Sequence, residues 1–234
     1  MALKFDLHTH SSFSSDGVSA PEDVIAVARS KGLHGIAITD HNTCEATPYL
    51  VEKGLVRRDG LPVDGFLVVP GVEVTTCDGH ILCLGATLHN MRGRPSLEVC
   101  NAIHDAGGLA VAPHPFDRFR AGIRQAVLDT LPLDAIEVFN AATTLDRHNR
   151  RALDYAASRR LSMIAGSDAH HCSVVGTAYT MLATDDFTLR GVIRQLPQPG
   201  NDIFSQYLGF RAWAKKIIGL LRSVPAPAPA PPKS

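Results

Sequence analysis

Histidine and acidic residues in this chain stand beside short apolar runs that are far apart in the sequence. The clusters are Asp6-Leu-His8-Thr-His10, Asp40-His41, Glu73, His80, His114 and Ser167-Asp168-Ala-His170. A barrel of parallel strands delivers the ends of all its strands to one face, so residues remote in sequence converge there. The spacing therefore predicts one shared site of the kind that holds metal ions.

The composition excludes several classes of protein. Lys plus Arg equals Asp plus Glu at 23 each, so no global field attracts nucleic acid or an anionic membrane. We therefore expect no stable nucleic-acid complex and no membrane association. Five cysteines without CxxC spacing disfavour a disulfide framework and a zinc ribbon, and fit a reducing cytoplasm. No stretch approaches the roughly 18 apolar residues that span a bilayer. The composition carries no signal for an oligomeric state.

Short β-rich runs alternate with segments of helical period over most of the chain. We predict strands at Phe5–Leu7, Gly35–Thr39, Phe66–Val69, Ile81–Leu84, Leu109–Ala112, Ala135–Phe139, Ser162–Ala165 and Ala178–Leu182. Helices are predicted at Ser96–Ala106, Ala121–Leu131, Leu145–Arg160 and Phe187–Leu196. Nearly continuous apolar strands are typical of a parallel sheet covered by helices. An α/β fold, and within it a (β/α) barrel rather than a doubly wound sheet, is the expectation.

The carboxyl-terminal part of the chain has a different character. Residues 204–222 mix apolar and basic side chains, which predicts a closing helix packed on the barrel; a membrane-surface or partner helix is the alternative. Residues 223–234 alternate Pro and Ala and predict a disordered tail. We therefore expect one barrel domain over residues 1–222.

The candidate metal ligands follow from side-chain type and spacing. His8 and His10 are two residues apart, which places both imidazoles on one face of a strand, and Asp16 follows them in a Ser-rich loop. His41 follows the next apolar run. Asp40 is expected to hydrogen-bond the ring of a ligand histidine and so orient it, without binding the metal itself.

Glu73 is the candidate bridge, because a carboxylate can bind two cations at once. Its place at a strand exit, followed by His80, favours metal binding. Two prolines fix the backbone around His114, and Asp168 with His170 resembles a second HxH pair with one oxygen ligand. Imidazole and carboxylate ligands without required thiolates indicate two or three divalent ions of Mn, Zn or Fe.

These residues carry a resemblance to a known family. The chain resembles the PHP (polymerase and histidinol phosphatase) family from about residue 4 to residue 184. The matching segments are Asp6-Leu-His8-Thr-His10-Ser, Ile38-Thr-Asp-His41-Asn-Thr43, Gly71-Val-Glu73, His114-Pro115, Glu137-Val-Phe-Asn140 and Gly166-Ser-Asp168-Ala-His170. The resemblance implies a distorted seven-stranded (β/α) barrel with a metal cluster at the carboxyl ends of its strands. It is nearest to short, stand-alone bacterial phosphoesterases.

The resemblance also implies how three ions would share the ligands. One ion would be held by His8, His10, Glu73 and Asp168, a second by Glu73, His80 and His114, and a third by Asp16, His41 and His170. Asp16 departs from the histidine that several relatives have there. The segment between His80 and His114 lacks the lid domain that longer, nucleotide-trimming members insert.

The expected chemistry is hydrolysis of a phosphate ester. Two ions across Glu73 would deprotonate a bridging water near neutral pH, and that hydroxide would attack the phosphoryl group. Arg118 and Arg120 are candidate phosphate clamps, with Arg147 and Asn140 as weaker ones, and Asp16 or His170 are candidates for protonating the leaving group.

Four functional hypotheses remain open from the sequence. The first is a phosphoesterase acting on a small phosphorylated metabolite, with a nucleotide or nucleoside bisphosphate favoured. A histidinol-phosphate-type phosphatase is the second. The third is an amidohydrolase-type C–N or C–O hydrolase, which usually uses a strand-end lysine that this chain lacks. The fourth is a metal-stabilised scaffold without catalysis, which recruits a partner through its basic helix and Pro-rich tail.

Overall fold

The structure is a computed structural model that describes residues 2–207. Strands and helices alternate along these residues, as the periodicity predicts. The strands are β1 (Leu3–Thr9), β2 (Gly35–Ile38), β3 (Leu67–Thr75), β4 (His80–Leu84), β5 (Leu109–Ala112), β6 (Ala135–Asn140), β7 (Ser162–Gly166), β8 (Ala178–Leu182) and β9 (Asp202–Ser205). The helices are α1 (Pro21–Ser30), α2 (Ala46–Glu52), α3 (Ser96–Asp105), α4 (Gln125–Leu128), α5 (Asp146–Arg159) and α6 (Leu189–Gln195).

All these strands belong to one sheet that curls into a nearly closed barrel. Their order is β7-β6-β5-β4-β3-β2-β1-β8-β9. The first and last parts of the sheet meet where the backbone N–H of Ala165 in β7 donates to Thr180 Oγ1 in β8, at 2.9 Å. A parallel bridge between Thr9 and Ala169 also links the end of β1 to the segment after β7. The expected distorted α/β barrel is therefore confirmed.

The expectation of a parallel sheet is wrong for two strands, β4 and β8, which run opposite to the others. β4 is antiparallel to both β3 and β5, and β8 is antiparallel to β1 and β9. Only residues 76–79 join β3 to β4. A parallel crossover needs a dozen or more residues, so this short connection forces a hairpin. The reversal places the first residue of β4, His80, at the same end of the barrel as the carboxyl ends of its parallel neighbours.

The interior of the barrel is one apolar cluster. Each strand from β1 to β8 contributes buried side chains to it: Leu3, Phe5, Leu7, Ala37, Leu67, Val69, Leu82, Leu84, Leu109, Val111, Ala135, Ile164 and Leu182. Val192 and Leu196, from α6 and the residue after it, join the same cluster, so α6 covers the end where the strands begin. The opposite end remains for the polar side chains.

Two further clusters lie between the sheet and its covering helices. The larger packs Val99 and Ile103 of α3 and Ala152 and Tyr155 of α5 against β3 to β6. The other packs α1 and α2 against β2. The predicted helix at Ala121–Leu131 is shorter than expected, because Ala121 has a left-handed φ of 53° and only Gln125–Leu128 are helical.

The prediction of a closing helix at 204–222 is wrong for its first two residues. Phe204 and Ser205 lie in β9, where Phe204 pairs with Tyr179 of β8. The rest of that helix from residue 208 onward, and the tail at 223–234, lie outside the described residues. No helix of residues 2–207 is long and apolar enough to cross a lipid bilayer.

The barrel interior predicts a large difference between two leucine truncations. Leu84 is fully buried in the interior cluster, whereas Leu97 on α3 is 48% exposed. We expect Leu84→Ala to lower the free energy of unfolding by about 2–5 kcal/mol, because it leaves a cavity. Leu97→Ala should change it by no more than about 0.5 kcal/mol. Urea denaturation of both metal-free variants measures this, and equal losses would contradict the assigned core.

Candidate metal centre and active site

The predicted ligands converge at the end of the barrel opposite α6. His8 is the second-to-last residue of β1, His41 follows β2, and Asp168 follows β7. Glu73 differs from the expectation, since it lies inside the nine-residue strand β3 and not after its exit. β3 continues past the point where β2 ends, and a parallel bridge joins Glu73 to His41 there. All nine predicted ligands therefore reach one site.

The Glu73 carboxylate is the centre of this site. It is 1% exposed, and both of its oxygens face histidine rings. Oε2 lies 3.2 Å from His8 Nε2, 3.3 Å from His10 Nε2 and 3.3 Å from His41 Nδ1, and Oε1 lies 2.7 Å from His80 Nδ1 and 3.0 Å from His114 Nε2. The two oxygens thus face two different sets of imidazoles, which is the arrangement a bridging carboxylate requires.

Two aspartates complete the acidic part of the site. Asp168 Oδ1 lies 3.4 Å from His10 Nε2 and 3.4 Å from His170 Nδ1. Asp16 Oδ2 lies 3.0 Å from His170 Nε2 and 3.5 Å from His41 Nε2. Asp16 is the most exposed of the three carboxylates, with 44% of its side chain accessible, so it stands at the rim.

The donor atoms fall into four overlapping groups in which all atoms lie within 4.8 Å of one another. The groups are His10-Asp16-His41-His170, His8-His114-Asp168, His8-His10-Glu73 and His41-Glu73-His80. The third ion set implied by the resemblance corresponds to the first group with His10 added. His114 groups with His8 and Asp168 as well as sharing Glu73 Oε1 with His80. The division of ligands among ions stays a prediction.

Unpaired ring nitrogens test whether this pocket fits metal ions. His10 Nε2 and His41 Nδ1 are buried and make no hydrogen bond. A buried polar atom without a partner costs free energy, and such groups are rare in folded proteins. Each of the two nitrogens faces Glu73 Oε2 at 3.3 Å. Divalent cations between these nitrogens and the carboxylate oxygens would satisfy both, so the residues fit the expected metal.

The charges in the site perturb one another strongly. Burial raises the pKa of Glu73, but the surrounding imidazoles, His80 and His8 foremost, outweigh it and hold that pKa well below its usual value. Burial lowers the pKa of His8, and the carboxylates of Asp168, Glu137 and Glu73 reverse the effect and raise it well above normal. For His114 burial dominates and lowers the pKa, which favours the neutral ring that binds metal.

Glu137 is a functional residue that the ligand analysis missed. It is fully buried in β6, and its Oε1 lies 3.1 Å from His8 Nδ1. Its Oε2 accepts hydrogen bonds from the His114 backbone N–H at 2.7 Å and from Asn140 Nδ2 at 2.9 Å. A carboxylate on the far nitrogen of a ligand histidine fixes the ring and its tautomer. An acidic residue inside the apolar run Ala135–Asn140 was the available signal.

The expected role of Asp40 is wrong. Its Oδ1 accepts from the Ser11 backbone N–H at 2.6 Å, and its Oδ2 accepts from Ser11 Oγ at 2.7 Å. Asp40 therefore holds the loop after β1 rather than an imidazole. Ser14 takes the orienting role for His10, since its Oγ lies 3.3 Å from His10 Nδ1, and the same oxygen accepts from the His41 backbone N–H at 2.7 Å.

Asp6 holds the segment that carries Asp168 and His170 by hydrogen bonds to the backbone. It is fully buried, and its carboxylate accepts backbone N–H groups from Ser167 at 2.9 Å and Gly176 at 2.8 Å. Burial raises the pKa of Asp6 to about 6, against the opposing effect of these donors. Gly166 packs against His8 without a side chain, because a Cβ there would lie 2.5 Å from His8 Cβ. These contacts bring β7 close to β1.

The predicted phosphate clamps divide between two places. Arg120 is directed into the site, where its Nη2 donates to Asp168 Oδ2. Arg118 is exposed and lines a separate cleft. Asn140 is buried, and its Nδ2 donates to both Glu137 and Asp168, so it acts as a positioning residue rather than a phosphate clamp.

Comparison with known proteins identifies the family. A model of the PHP domain matches residues 6–130, more than half of the 234-residue chain, and a PHP-associated model, PHP_C, matches residues 146–198. The chain belongs to the PHP family. Within it, the chain is 35% identical to an uncharacterized protein of Methanocaldococcus jannaschii over 150 residues, which cover 59% of this chain and 82% of that protein. It is 30% identical over 197 residues to a probable phosphatase of Enterobacter sp. strain 638, covering 73% and 80% of the two chains.

Solved structures share the barrel of this PHP chain. One is a two-domain protein of Bacteroides vulgatus that contains a predicted PHP-like metal-dependent phosphoesterase, with a TM-score of 0.71, 19% identity, and coverage of 93% of this chain and 69% of that one. Another is endonuclease Q in complex with a 27-mer duplex, with a TM-score of 0.66, 18% identity, and coverage of 86% and 57%. The predicted family and hydrolase class are confirmed.

Metal removal should destabilise this PHP chain measurably. At a free Mn²⁺ concentration a hundredfold above Kd, binding to one site stabilises the folded state by about 2.7 kcal/mol. We expect Mn²⁺ to raise the Tm of chelator-treated protein, and Glu73→Gln to lose most of that rise. Differential scanning calorimetry measures both. Glu98→Gln, at an exposed ion pair on α3, is the control and should keep the rise; an equal rise in the Glu73 variant would contradict the central role of this carboxylate.

The orienting role of Glu137 predicts a separate effect. Glu137→Gln removes the charge behind His8, and loss of such a partner typically weakens metal affinity by about 10–100-fold. Isothermal titration with Mn²⁺ gives the Kd, and circular dichroism confirms that the variant is folded. An unchanged Kd in folded Glu137→Gln would show that His8 needs no carboxylate behind it.

Proposed function

We propose that this metal-dependent phosphoesterase of the PHP family hydrolyses a phosphate monoester of a small, nucleotide-type metabolite, with the nine predicted ligands holding two or three divalent ions. The observation that carries the proposal is the Glu73 carboxylate, which faces five imidazoles through two differently directed oxygens. When bound, divalent ions at such a site neutralise the charge of a phosphoryl group and activate water.

The chain's own residues supply the remaining functions. Arg120 forms an ion pair with Asp168 of the cluster, and a planar guanidinium suits the non-bridging oxygens of a phosphate. The ion pair with Asp168 also holds Arg120 in place before substrate arrives. His170 and Asp16 form a hydrogen-bonded pair at the rim, 3.0 Å apart, where a leaving group would depart. This pair is our candidate for protonating the leaving oxygen.

The enclosure of the site supports a small substrate. His8, His10, Glu73 and Asp168 are each no more than 2% exposed, while His41, His80 and His170 are 14–19% exposed in their side chains. Within residues 2–207, the side of the cluster that is open to a phosphate group is therefore the one that carries these three rings, Asp16 and Arg120, whose side chain is 17% exposed. A terminal monoester enters such an opening more easily than the middle of a polymer.

A phosphoester panel with added metal tests the proposal. Wild-type protein, chelated and then reloaded with Mn²⁺, Zn²⁺ or Fe²⁺, is assayed on nucleoside monophosphates, histidinol phosphate, a cyclic nucleotide and a phosphodiester, with metal content measured in parallel. We expect release of inorganic phosphate from nucleotide monoesters. Metal-loaded protein that turned over none of these esters would overturn the proposal and favour a scaffold.

Substitution of Arg120 tests its contact with the phosphate. Arg120→Lys keeps the charge but loses the forked donors, and a charge-assisted hydrogen bond contributes roughly 1.5–3 kcal/mol. We expect kcat/KM on the best monoester to fall about tenfold to hundredfold. Arg124→Lys, an exposed position in the same loop, is the control. Unchanged kcat/KM in Arg120→Lys, at equal metal content, would exclude the guanidinium from the reaction.

A further inference from the structure

A cleft outside the metal centre carries positive charge that the proposed reaction does not use. It has a volume of about 440 Å³ and is lined by Phe116, Arg118, Phe119, Arg147, His148 and Arg151. None of the nine predicted metal ligands lines it. The volume falls in the range of small-molecule sites, roughly 300–1,000 Å³. The cleft therefore has room for a phosphate group together with a small organic part.

The arginines of this cleft have no anionic partner in the described part of the chain. Among residues 2–207, no carboxylate lies within ion-pair distance of the guanidiniums of Arg118, Arg147 or Arg151. Arg120 differs from them, because it is paired with Asp168. Unneutralised guanidiniums around one cleft attract anions, which they bind through paired N–H donors.

Two of these arginines stand where a positive charge is unfavourable for the helix that carries them. Arg147 is the second residue of α5, and Arg151 lies four residues further along the same helix. The amino-terminal end of a helix carries partial positive charge, and like charges at positions i and i+4 destabilise a helix. A bound anion removes both penalties. A local rule broken in this way is typical of a functional site.

Arg151 is held in position before any ligand binds. Its Cζ lies 4.2 Å from the centre of the Phe116 ring, and its Nη2 donates to Gln125 Oε1 at 3.2 Å. A guanidinium that is already placed loses less conformational entropy when it contacts a ligand. Arg151 is therefore prepared for binding.

Buried contacts fix the two walls of the cleft relative to each other. Asp117 is fully buried, and its Oδ1 accepts from the Phe119 backbone N–H at 3.2 Å. Its Oδ2 accepts from the Thr144 backbone N–H at 2.7 Å and lies 3.4 Å from His148 Nδ1. One carboxylate, which does not itself line the cleft, thus joins the turn that carries Phe119 to the helix that carries His148. The shape of the cleft is fixed by the fold.

The number of guanidiniums indicates which anion fits. A phosphate group carries up to two negative charges and several acceptor oxygens, so it can accept hydrogen bonds from more than one guanidinium at once. A carboxylate has one charge and two oxygens, and would leave part of the charge of three arginines unneutralised. Phe119, which is 80% exposed, adds an apolar surface for whatever the phosphate is attached to. The cleft therefore suits a phosphate group, free or at the end of a small molecule.

One turn connects the cleft to the metal centre. The 3₁₀ turn Arg118–Arg120 directs Arg120 to Asp168 in the cluster, and Arg118 of the same turn lines the cleft. An anion held between Arg118 and the arginines of α5 would tie this turn to the helix. Occupancy of the cleft would then restrict the motion of the turn that carries Arg120.

We propose that this cleft is an effector site, which binds the phosphate group of a small ligand other than the substrate. Arg118 contacts the phosphate from the turn, and Arg147 and Arg151 contact it from α5. The bound phosphate steadies the turn that carries Arg120. This inference goes beyond the proposed function, because binding in the cleft requires no turnover at the metal centre.

Equilibrium dialysis against radiolabelled inorganic phosphate tests the site. The proteins are full-length wild type, Arg147→Gln and Arg150→Gln, all loaded with Mn²⁺ and held at low ionic strength. Arg150 lies on the same helix and is exposed, but it does not line the cleft. We expect one phosphate of the wild type to bind about tenfold to hundredfold more weakly in Arg147→Gln, which loses a charge-assisted hydrogen bond, and Arg150→Gln to match the wild type.

Equal phosphate binding by all three proteins would overturn the proposal, and so would equal weakening in Arg147→Gln and Arg150→Gln. Circular dichroism confirms that the variants are folded. Arg118→Gln, on the other wall of the cleft, replaces Arg147→Gln if that variant does not fold, and the same weakening is expected of it.

A competition experiment separates the cleft from the substrate site. The dialysis is repeated with a saturating, non-hydrolysable phosphonate analogue of adenosine 5′-monophosphate. We expect the phosphate whose binding depends on Arg147 to stay bound. Its displacement by the analogue would overturn the proposal, by assigning the cleft to the substrate. Failure of the proposed function is a different result, since it would appear as absent turnover with the cleft phosphate still bound.

A comparison of two ligands identifies the source of the phosphate. Chelator-treated protein, which cannot use metal to hydrolyse an ester, is titrated calorimetrically with inorganic phosphate and with phenyl phosphate. Binding of phenyl phosphate that is tighter by about twofold to tenfold, and no tighter in Phe119→Ala, assigns the cleft to a small organic phosphate. Equal dissociation constants assign it to free phosphate. Binding of neither ligand by folded wild type would overturn the proposal.

Amide hydrogen exchange tests the link to the metal centre. The backbone N–H groups of Arg120 and Gly122 donate to the Asp117 carbonyl oxygen at 3.0 Å and 2.8 Å, so their exchange reports how often the turn opens. We expect saturating phosphate to slow exchange of these amides in wild type and to leave it unchanged in Arg147→Gln. Unchanged exchange in phosphate-saturated wild type would overturn the role of the cleft as an effector site.

Discussion

The buried carboxylate of Glu73 is the interaction on which the rest of the site depends. A lone carboxylate in a protein interior carries a solvation penalty of several kcal/mol, which partners must offset. Here five imidazoles from four separate chain segments do so, and without the negative charge the same imidazoles would repel one another if they were protonated. The carboxylate and the imidazoles therefore stabilise each other. The contacts between this carboxylate and the imidazoles therefore also hold these segments of the barrel together.

The reversed direction of β4 brings His80 to the same end of the barrel as Glu73 on the neighbouring strand β3. In a parallel arrangement His80, the first residue of its strand, would lie at the covered end beside α6. The four-residue hairpin between β3 and β4 instead sets Thr75 opposite His80 and Glu73 opposite Leu82. His80 then returns to the open end, 2.7 Å from the carboxylate on its own neighbouring strand. A local turn thus decides the composition of a site that otherwise depends on long-range pairing.

Much of this fold follows from the sequence, and the exceptions have physical reasons. Apolar runs locate β1, β2, β5, β6, β7 and β8 closely, because buried strands need nearly continuous apolar residues. Hydrophobicity alone predicts the wrong direction for β4, because an apolar run carries no information on strand direction. The four residues between Thr75 and His80 are too few for a parallel crossover, so the length of this connection predicts the antiparallel direction. The convergence of ligand histidines follows from barrel geometry. The partners of Glu137 and Asp40 do not follow from the sequence. An acidic residue inside an apolar run marks Glu137 as unusual, but only the contacts in the structure show which groups the two carboxylates hold.

The segment from His114 to Gly122 is a strained loop that carries residues of both the metal centre and the neighbouring cleft. His114, Phe116 and Ala121 have positive φ values of 30°, 70° and 53°, which non-glycine residues adopt only when their surroundings impose it. Gly122 closes the loop, since a Cβ there would lie 2.5 Å from the His114 carbonyl oxygen and 2.7 Å from the Asp117 nitrogen.

The hydrogen bonds of Asp117 and of the His114 backbone hold this tight path, which turns His114 and Arg120 toward the metal centre while Phe116 and Arg118 line the neighbouring cleft. A relaxed loop would present its side chains with less precision. Because one loop carries residues of both regions, the hydrogen bonds that hold its path also set the positions of Arg118 and Arg120 relative to each other. A side chain held in this way loses little conformational entropy when it binds a ligand, which lowers the free-energy cost of binding at the metal centre.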